Sequence, residues 1–352
     1  MHQAVATGCF PGAVLLVAKE KKIVHFEAYG RANLFNRTPM TRDTVFDLAS
    51  LTKPLATTLA LMELVRSGLI DLEQPLAAII SRFKKTEKAP IRIRDLLGHT
   101  AGLPAWRPYF RLLAKHDFSS RTGILKNLLI REPLTHSPGE KIVYSDLGFM
   151  ILAWVVETIM GLPMGRYISQ KIYRPMGLEN LFFFPSLAHI PEDIPCAATE
   201  LCPWRGILIN GIVHDDNAYT TVGLQGQAGL FGPVIAVFRL LSGLLHAYYR
   251  EAGSRFNHQL VRLFLTPQGR AGRALGFDVP SGINPACGNY FSAQTIGHLG
   301  FTGTSFWMDL DRSIIIILCT NRIHPSRHNN RIRMFRPQLH DAVMGHWVDC
   351  VG

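Results

Sequence analysis

Apolar residues run almost unbroken through Gly12–Lys19 (GAVLLVAK), and a mixed β-rich run follows from Lys22 to Ala32 (KIVHFEAYGRA). A Lys-Glu-Lys turn separates them, so the pair reads as a β-hairpin near the start of the chain. Three more β-rich runs lie near the other end: Tyr290–Leu299 (YFSAQTIGHL), Ser305–Asp309 (SFWMD) and Ser313–Thr320 (SIIIILCT). Asp311-Arg312 makes a tight turn between the last two. Between the two groups the pattern changes to the helical period. Leu55–Ser67, Leu147–Met160 and Val234–Tyr249 are predicted helices separated by Gly/Pro-rich loops, and a helix from about Arg331 to Val348 closes the chain. The expected architecture is α/β plus all-α. Residues 1–70 and 271–352 form an α/β layer built from both termini, and a mainly helical region, 71–270, is inserted between them. The seam between two such layers is a natural place for a substrate cleft.

Composition narrows the class. With 352 residues, 47% of them hydrophobic and 18% charged, the chain has ample length for a core and is not disordered. The longest apolar stretches, Phe149–Met160 and Ser313–Thr320, are too short to span a bilayer, so no transmembrane segment is expected. The N-terminal apolar run GAVLLVA leads straight into Lys19-Glu20-Lys21-Lys22 and has no basic region before it. It suits a strand better than a signal peptide. A cytoplasmic location is expected for the chain as it stands, or a periplasmic or secreted one if an export signal once preceded it. Cys9, Cys196, Cys202, Cys287, Cys319 and Cys350 form no Cys-x-x-Cys pair and no zinc spacing, so buried free thiols are expected. The net charge of +11 is mostly scattered. Its one dense patch, Arg322 to Arg336 (RIHPSRHNNRIRMFR), lacks aromatic interleaving and reads as a solvated or anion-attracting surface rather than a nucleic-acid interface. Nothing in the sequence sets an oligomeric state.

The chemistry concentrates at Phe46-Asp47-Leu48-Ala49-Ser50-Leu51-Thr52-Lys53-Pro54. Residues three apart on a helix share a face, so Ser50 and Lys53 can point at one volume. A serine needs something to take its proton, and a desolvated lysine is one of the few side chains that can. Pro54 fits only the first turn of a helix, which puts Ser50 at or just before the N-terminus. Ser-x-x-Lys alone is weak, because about one or two matches are expected by chance in a chain of this length. A second match, Ser81-Arg82-Phe83-Lys84, sits in a charged stretch (SRFKKTEK) that looks like a solvated connection. The bland reading of Ser50 is an N-cap with Lys53 turned to solvent.

Two further segments shift that balance. Tyr144-Ser145-Asp146 follows Pro138-Gly139 on a loop, and His298-Leu299-Gly300-Phe301-Thr302-Gly303-Thr304 ends a predicted strand, where Gly300 permits close approach to its backbone. With these motifs the chain resembles the serine β-lactamase and penicillin-binding-protein superfamily, on the branch of class C β-lactamases, D-alanyl-D-alanine carboxypeptidases and their esterase relatives. The resemblance covers nearly the whole chain, through FDLASLTK, LLGHTAGLP, YSDLGF, HDDNA, QAGLF and GHLGFTGTSFW. It implies a β-lactamase/transpeptidase-like fold, with an antiparallel sheet flanked by helices, and one serine-hydrolase unit without metal or cofactor. It also implies Ser50 as nucleophile, Lys53 as its partner, Tyr144 as a general base, and the backbone N–H groups of Ser50 and Phe301 as the oxyanion hole, with Asp146, His298 and Gly300 around the substrate.

Three positions depart from the family's pattern. Asp146 stands where asparagine is usual, and a carboxylate only accepts hydrogen bonds. His298 replaces a frequent lysine and Leu299 a threonine, which loses a fixed positive charge and a hydroxyl for a substrate carboxylate. The expected substrate is therefore a small ester, with carboxypeptidase, amidase or weak β-lactamase activity as the alternative. A catalytically silent binding or scaffolding homologue is the alternative of another class. If Asp146 faces Lys53, the lysine stays cationic and favours a Tyr144 phenolate as the working base. Otherwise Asp146 only caps the helix starting at Leu147. Of the remaining features, His214-Asp215-Asp216 is expected to be a loop hydrogen-bond network rather than a metal site. His99 is expected in a structural turn and Gln227 lining or supporting the cleft, and Gly223-x-x-Gly226-x-x-Gly229 has no nucleotide-binding context.

Overall fold

The computed structural model describes residues 1–183, 194–221, 223, 225–267, 273–282 and 285–348. A five-stranded antiparallel sheet forms the frame, in the spatial order Lys22–Gly30, Gly12–Lys19, Ile314–Thr320, Ser305–Asp309, Thr295–Leu299. The two ends of the chain meet at its centre, where Leu15 pairs with Leu318 and Val17 with Ile316. Both central strands are buried along nearly their whole length, which is why they read as continuous apolar runs. Alternate residues go to opposite faces. Val14, Leu16, Ile315 and Ile317 join the main core, whereas Leu15, Val17, Ile316 and Leu318 join a second core under the terminal helices His2–Ala6 and Ile332–Val348. Glu20 and Lys21 both take positive φ, the hairpin turn whose twist matches the flanking strands.

The inner face carries the helices. Val234–Tyr248 lies directly on the two central strands, and Asp146–Met160 is buried from Leu147 to Val156 on every side. Among the described residues no single helix is long and apolar enough to cross a membrane. A small sheet of Val45–Asp47, Leu230–Pro233 and Phe182–Phe183 leads the chain into the Ser50 segment.

Several expectations change in detail. Residues 290–294 do not continue the strand, because Ser292 turns its N–H (2.8 Å) and hydroxyl (2.7 Å) to the buried Asp309 carboxylate. The helix expected over Leu55–Ser67 begins earlier and is not uniform: a 3₁₀ turn at Ala49–Leu51, a π-helical turn at Lys53–Thr58, then α-helix over Leu59–Arg66. The closing helix contains Pro337. The basic patch is only in part a solvated surface: His328, Arg331 and Arg333 are exposed, while three of its arginines turn inward. Arg336 donates to the Thr304 carbonyl (2.9 Å), Arg322 Nε to the Phe301 carbonyl (3.0 Å), and Arg327 Nε to Glu200 Oε1 (2.7 Å). Loop carbonyls in a buried place need donors, and guanidinium groups supply several at once. Burial lowers the Arg336 pKa to about 10. Cys9, Cys202, Cys287 and Cys319 are buried free thiols and Cys196 is half-buried. Cys350 and the expected boundary near residue 270 lie outside the described residues.

Candidate active site

Ser50 sits in the 3₁₀ turn and Lys53 opens the turn that follows. Entry to this corner requires Ala49 at φ +48°, a left-handed conformation that costs alanine about 1 kcal/mol. Asp47 holds it there: Oδ1 accepts the Ala49 N–H (2.9 Å) and Oδ2 the His214 N–H (2.7 Å). Burial pushes the Asp47 carboxyl up, and these two N–H groups pull it back.

Lys53 is 0% exposed. Its ammonium lies 3.1 Å from Ser50 Oγ, 3.1 Å from the Gln227 carbonyl and 2.6 Å from Asp146 Oδ1. The approach to Asp146 is off the hydrogen-bond direction, so charge rather than alignment holds that pair. The ammonium also stands 4.7 Å from the Tyr144 ring centroid. Burial pushes the Lys53 pKa down, but the Asp146 carboxylate and the Tyr144 phenol outweigh it, and the net direction is up. The lysine is therefore cationic, as expected for an Asp146 that faces it. The expected phenolate is not supported. Burial raises the Tyr144 pKa, Lys53 lowers it, Asp146 raises it again, and the phenol ends above its ordinary value.

Capping falls to Ser145, not Asp146. Its Oγ accepts the Gly148 N–H (3.2 Å) and donates to the Pro104 carbonyl (2.7 Å). That leaves the Asp146 side chain free for Lys53. His99 is the turn residue foreseen, at φ +59°, and it also steadies Tyr144. Its Nδ1 accepts the Ser145 N–H (2.9 Å), its carbonyl accepts the Val143 N–H (2.9 Å), and its ring centroid is 4.7 Å from that of Tyr144. Burial, then the charges of Arg273 and Lys53, keep this imidazole neutral. LLGHTAGLP is thus the cradle of the Tyr144 loop.

The opposite wall is the tight loop after Thr295–Leu299. The Gly300 N–H donates to the Thr304 carbonyl (2.7 Å), and a Cβ on Gly300 would come within 2.0 Å of Thr304 Oγ1. Thr302 and Thr304 hydroxyls donate to the carbonyls of Asp47 (2.8 Å) and Leu48 (3.1 Å), which locks the loop beside Ser50. Among the described residues the N–H groups of Ser50 and Phe301 donate to no protein acceptor. His298 does not supply the charge of the lysine it replaces. Its Nδ1 donates to the Leu299 carbonyl (3.0 Å), Nε2 has no partner, and burial followed by Lys53 and Arg273 holds the ring neutral. The cation near this wall is one that sequence reasoning missed. Arg273 places its guanidinium 5.9 Å from the Tyr144 ring centroid, pairs with Asp278, and leaves Nε unpartnered. No motif or periodicity around it (GRAGRALG) marks the position.

Ser50, Tyr144, Asp146, Gln227, Phe301 and the His214–Asp216 segment, among others, line a cavity of about 380 Å³, while Arg273 and His298 are not among its lining residues. The His214–Asp216 segment is a hydrogen-bond network, as expected: His214 Nε2 meets Glu200 (3.0 Å), and Asp216 accepts from Trp204 Nε1 (2.8 Å) and Arg205 (2.6 Å). Among the described residues no cluster could hold a metal ion. Gly226 serves packing, since an added Cβ would lie 2.0 Å from the Phe149 carbonyl, and its own carbonyl accepts from Thr57 (2.7 Å).

A serine hydroxyl 3.1 Å from a buried ammonium, in a cavity beside a five-stranded antiparallel sheet, is the arrangement of a serine hydrolase. The chain belongs to the Beta-lactamase family, which matches residues 1–338. It is 33% identical to a putative D-alanyl-D-alanine carboxypeptidase of Escherichia coli (strain K12), over 100% of this chain and 88% of the relative. A protein of the same description from Salmonella typhi is 32% identical, over 96% of this chain and 85% of the relative. Solved structures share the β-lactamase/transpeptidase-like fold. The octameric penicillin-binding protein homologue from Pyrococcus abyssi superposes with a TM-score of 0.75 at 19% identity, over 97% of this chain and 75% of that one. EstCE1, a hydrolase with promiscuous acyltransferase activity, gives 0.72 at 22% identity, over 95% of this chain and 96% of that one.

Proposed function

We propose that the chain hydrolyses a small peptide or amide that ends in a free carboxylate, through an acyl-enzyme on Ser50, and accepts esters by the same route. The observation that carries this is the Lys53 ammonium, buried 3.1 Å from Ser50 Oγ with Asp146 and Tyr144 around it. Ser50 Oγ attacks the carbonyl carbon while its proton passes to the Lys53–Tyr144 pair. The pair returns that proton to the leaving nitrogen as the C–N bond breaks. Water then attacks the acyl ester and frees Ser50. The N–H groups of Ser50 and Phe301 hold the oxyanion, at about 3 kcal/mol per donor.

Since Lys53 rests cationic and Tyr144 rests neutral, the reactive form is the pair with one proton removed. Wild-type kcat/KM is therefore expected to keep rising with pH into the alkaline range. Asp146 raises the pKa of both members, so Asp146→Asn lowers both and shifts the rising limb to lower pH, whichever member is the base. A pH–rate profile of the two proteins checks this, and an unmoved limb would refute the coupling.

Leu299 and a neutral His298 lack the means to hold a carboxylate, which is why the sequence puts esters first. Arg273, paired with Asp278 but with Nε unpartnered, brings a guanidinium beside Tyr144, and the curated relatives carry the carboxypeptidase description. The expected result is release of D-alanine from an N-acylated D-Ala-D-Ala peptide, turnover of p-nitrophenyl butyrate, and much slower turnover of nitrocefin. Arg273→Ala should raise KM for the peptide about tenfold or more, the loss of a charge-assisted hydrogen bond. KM for the ester should stay nearly constant, and Arg273→Lys should recover part of the loss. An inert peptide alongside a good ester, with Arg273→Ala neutral for both, would restore the esterase reading that Leu299 favours.

A further inference from the structure

We propose that the cavity recognises a primary ammonium on the acyl part of the substrate, held between Asp215 and Gln227; this deepens, and rests on, the hydrolase reading above. Three carboxylates line the cavity: Asp146, Asp215 and Asp216. Asp146 is met by Lys53, and Asp216 by Arg205 at 2.6 Å and Arg327 at 3.7 Å. Asp215 alone of the three has no cation within ion-pair distance among the described residues. Both of its hydrogen bonds, from the Ala218 N–H (2.7 Å) and Gln227 Nε2 (3.1 Å), fall on Oδ1, which leaves Oδ2 to the cavity.

Gln227 supplies the second, independent observation. Its side chain is buried, with the residue only 2% exposed, it lines the same cavity, and its Oε1 has no partner. The amide orientation is set by Asp215, because only the NH₂ end can face a carboxylate. An amide oxygen left this way costs about 1–3 kcal/mol until a donor reaches it. Two acceptor oxygens without a partner among the described residues, one of them on a carboxylate, suit a group that carries positive charge and several N–H bonds. An ammonium satisfies both at once, whereas an anion would be repelled.

Burial, followed by the charge of Asp146, pushes the Asp215 carboxyl up to about 6, as befits a carboxylate short of positive charge. Trp106 and Phe301 offer apolar sides for the carbon chain that bears the amine. Arg273 stands by Tyr144 and His298, away from the residues that line the Asp215 end, so the carboxylate that the proposed function assigns to Arg273 leaves the Asp215 end to the acyl part.

The test reads binding, not turnover, in the intact chain. Benzylammonium and its neutral isostere benzyl alcohol are titrated calorimetrically at pH 8 and low salt. Wild type is expected to bind benzylammonium at least about tenfold more tightly, the lower bound for one charge-assisted hydrogen bond. Asp215→Asn should reduce that preference to less than about threefold, because the hydrogen bonds survive without the charge. Gln227→Met, which keeps the volume and removes the acceptor, should weaken benzylammonium several-fold while benzyl alcohol changes little. Equal binding of the two probes by wild type, or a preference that survives in Asp215→Asn, would overturn the proposal. Either result with ester turnover intact leaves the hydrolase reading standing. A retained ammonium preference in a protein that hydrolyses nothing would instead remove that reading and keep the site.

Discussion

Ser50→Ala is expected to lower hydrolysis of p-nitrophenyl butyrate by at least about 10⁴-fold, as loss of a nucleophile does in enzymes whose catalytic groups act as a unit. Ser81→Ala is expected to stay within about threefold of wild type, the range for surface substitutions. The contrast rests on surroundings. Ser50 is held beside a buried ammonium on the wall of the cavity, whereas Ser81 and Lys84 are both exposed on the 3₁₀ turn and its edge. A fluorophosphonate probe should label wild type and Ser81→Ala but not Ser50→Ala. Labelling that persists in a folded Ser50→Ala, or equal losses of activity in the two variants, would remove Ser50 from the role. No labelling of wild type at all would favour a silent homologue.

Lys53→Ala should affect both rate and stability. Proton transfer loses its partner, for about a 10³-fold fall in kcat. The Asp146 carboxylate loses its cation as well. Orphaning one member of a fully buried pair costs about 3–5 kcal/mol, and here the cost should be nearer 2–3 because Asp146 is 17% exposed toward cavity water. Adding Asp146→Asn to Lys53→Ala removes the stranded charge, so the double variant should regain most of the lost stability and none of the activity. Urea midpoints for the single and double variants decide it. A double variant no more stable than Lys53→Ala would show that the ion pair does not govern this part of the core.

What could be read from the sequence was whatever is spelled locally. The hairpin at Gly12–Gly30, the Ser50–Lys53 spacing and the loops at Tyr144 and Gly300 are each written within a few residues, so period and turn chemistry reveal them. What stayed hidden depends on residues far apart. Gln227 was expected at the cleft, but the contact of its carbonyl with Lys53 across 174 positions was not legible, and Arg273 gains its meaning only from lying beside Tyr144 and His298. Ionisation was hidden for the same reason. The loss of a fixed positive charge at His298 could be read from the letter, but not the burial between two cations that keeps the ring neutral, nor the desolvation that raises the Tyr144 phenol against the pull of Lys53. The inward arginines misled in the opposite direction. A run of basic letters carries no mark of which side chains will find carbonyls to satisfy. The π-helical turn at Lys53–Thr58 likewise looks, by composition, like the first turns of an ordinary helix.

The pairing of Gly12–Lys19 with Ile314–Thr320 has a consequence for how the molecule comes into being. The middle strand of the sheet is synthesised long after the first hairpin, which must wait for it with one apolar edge uncovered. The helices of the inserted region close over shorter sequence separations and can settle while translation continues. Ser50 and Lys53 are made first, and the loop that Thr302 and Thr304 lock beside Ser50 arrives only with the strands that flank it. A ribosome-bound chain stalled before Thr302 would therefore hold Ser50 and Lys53 without the loop that is locked beside them.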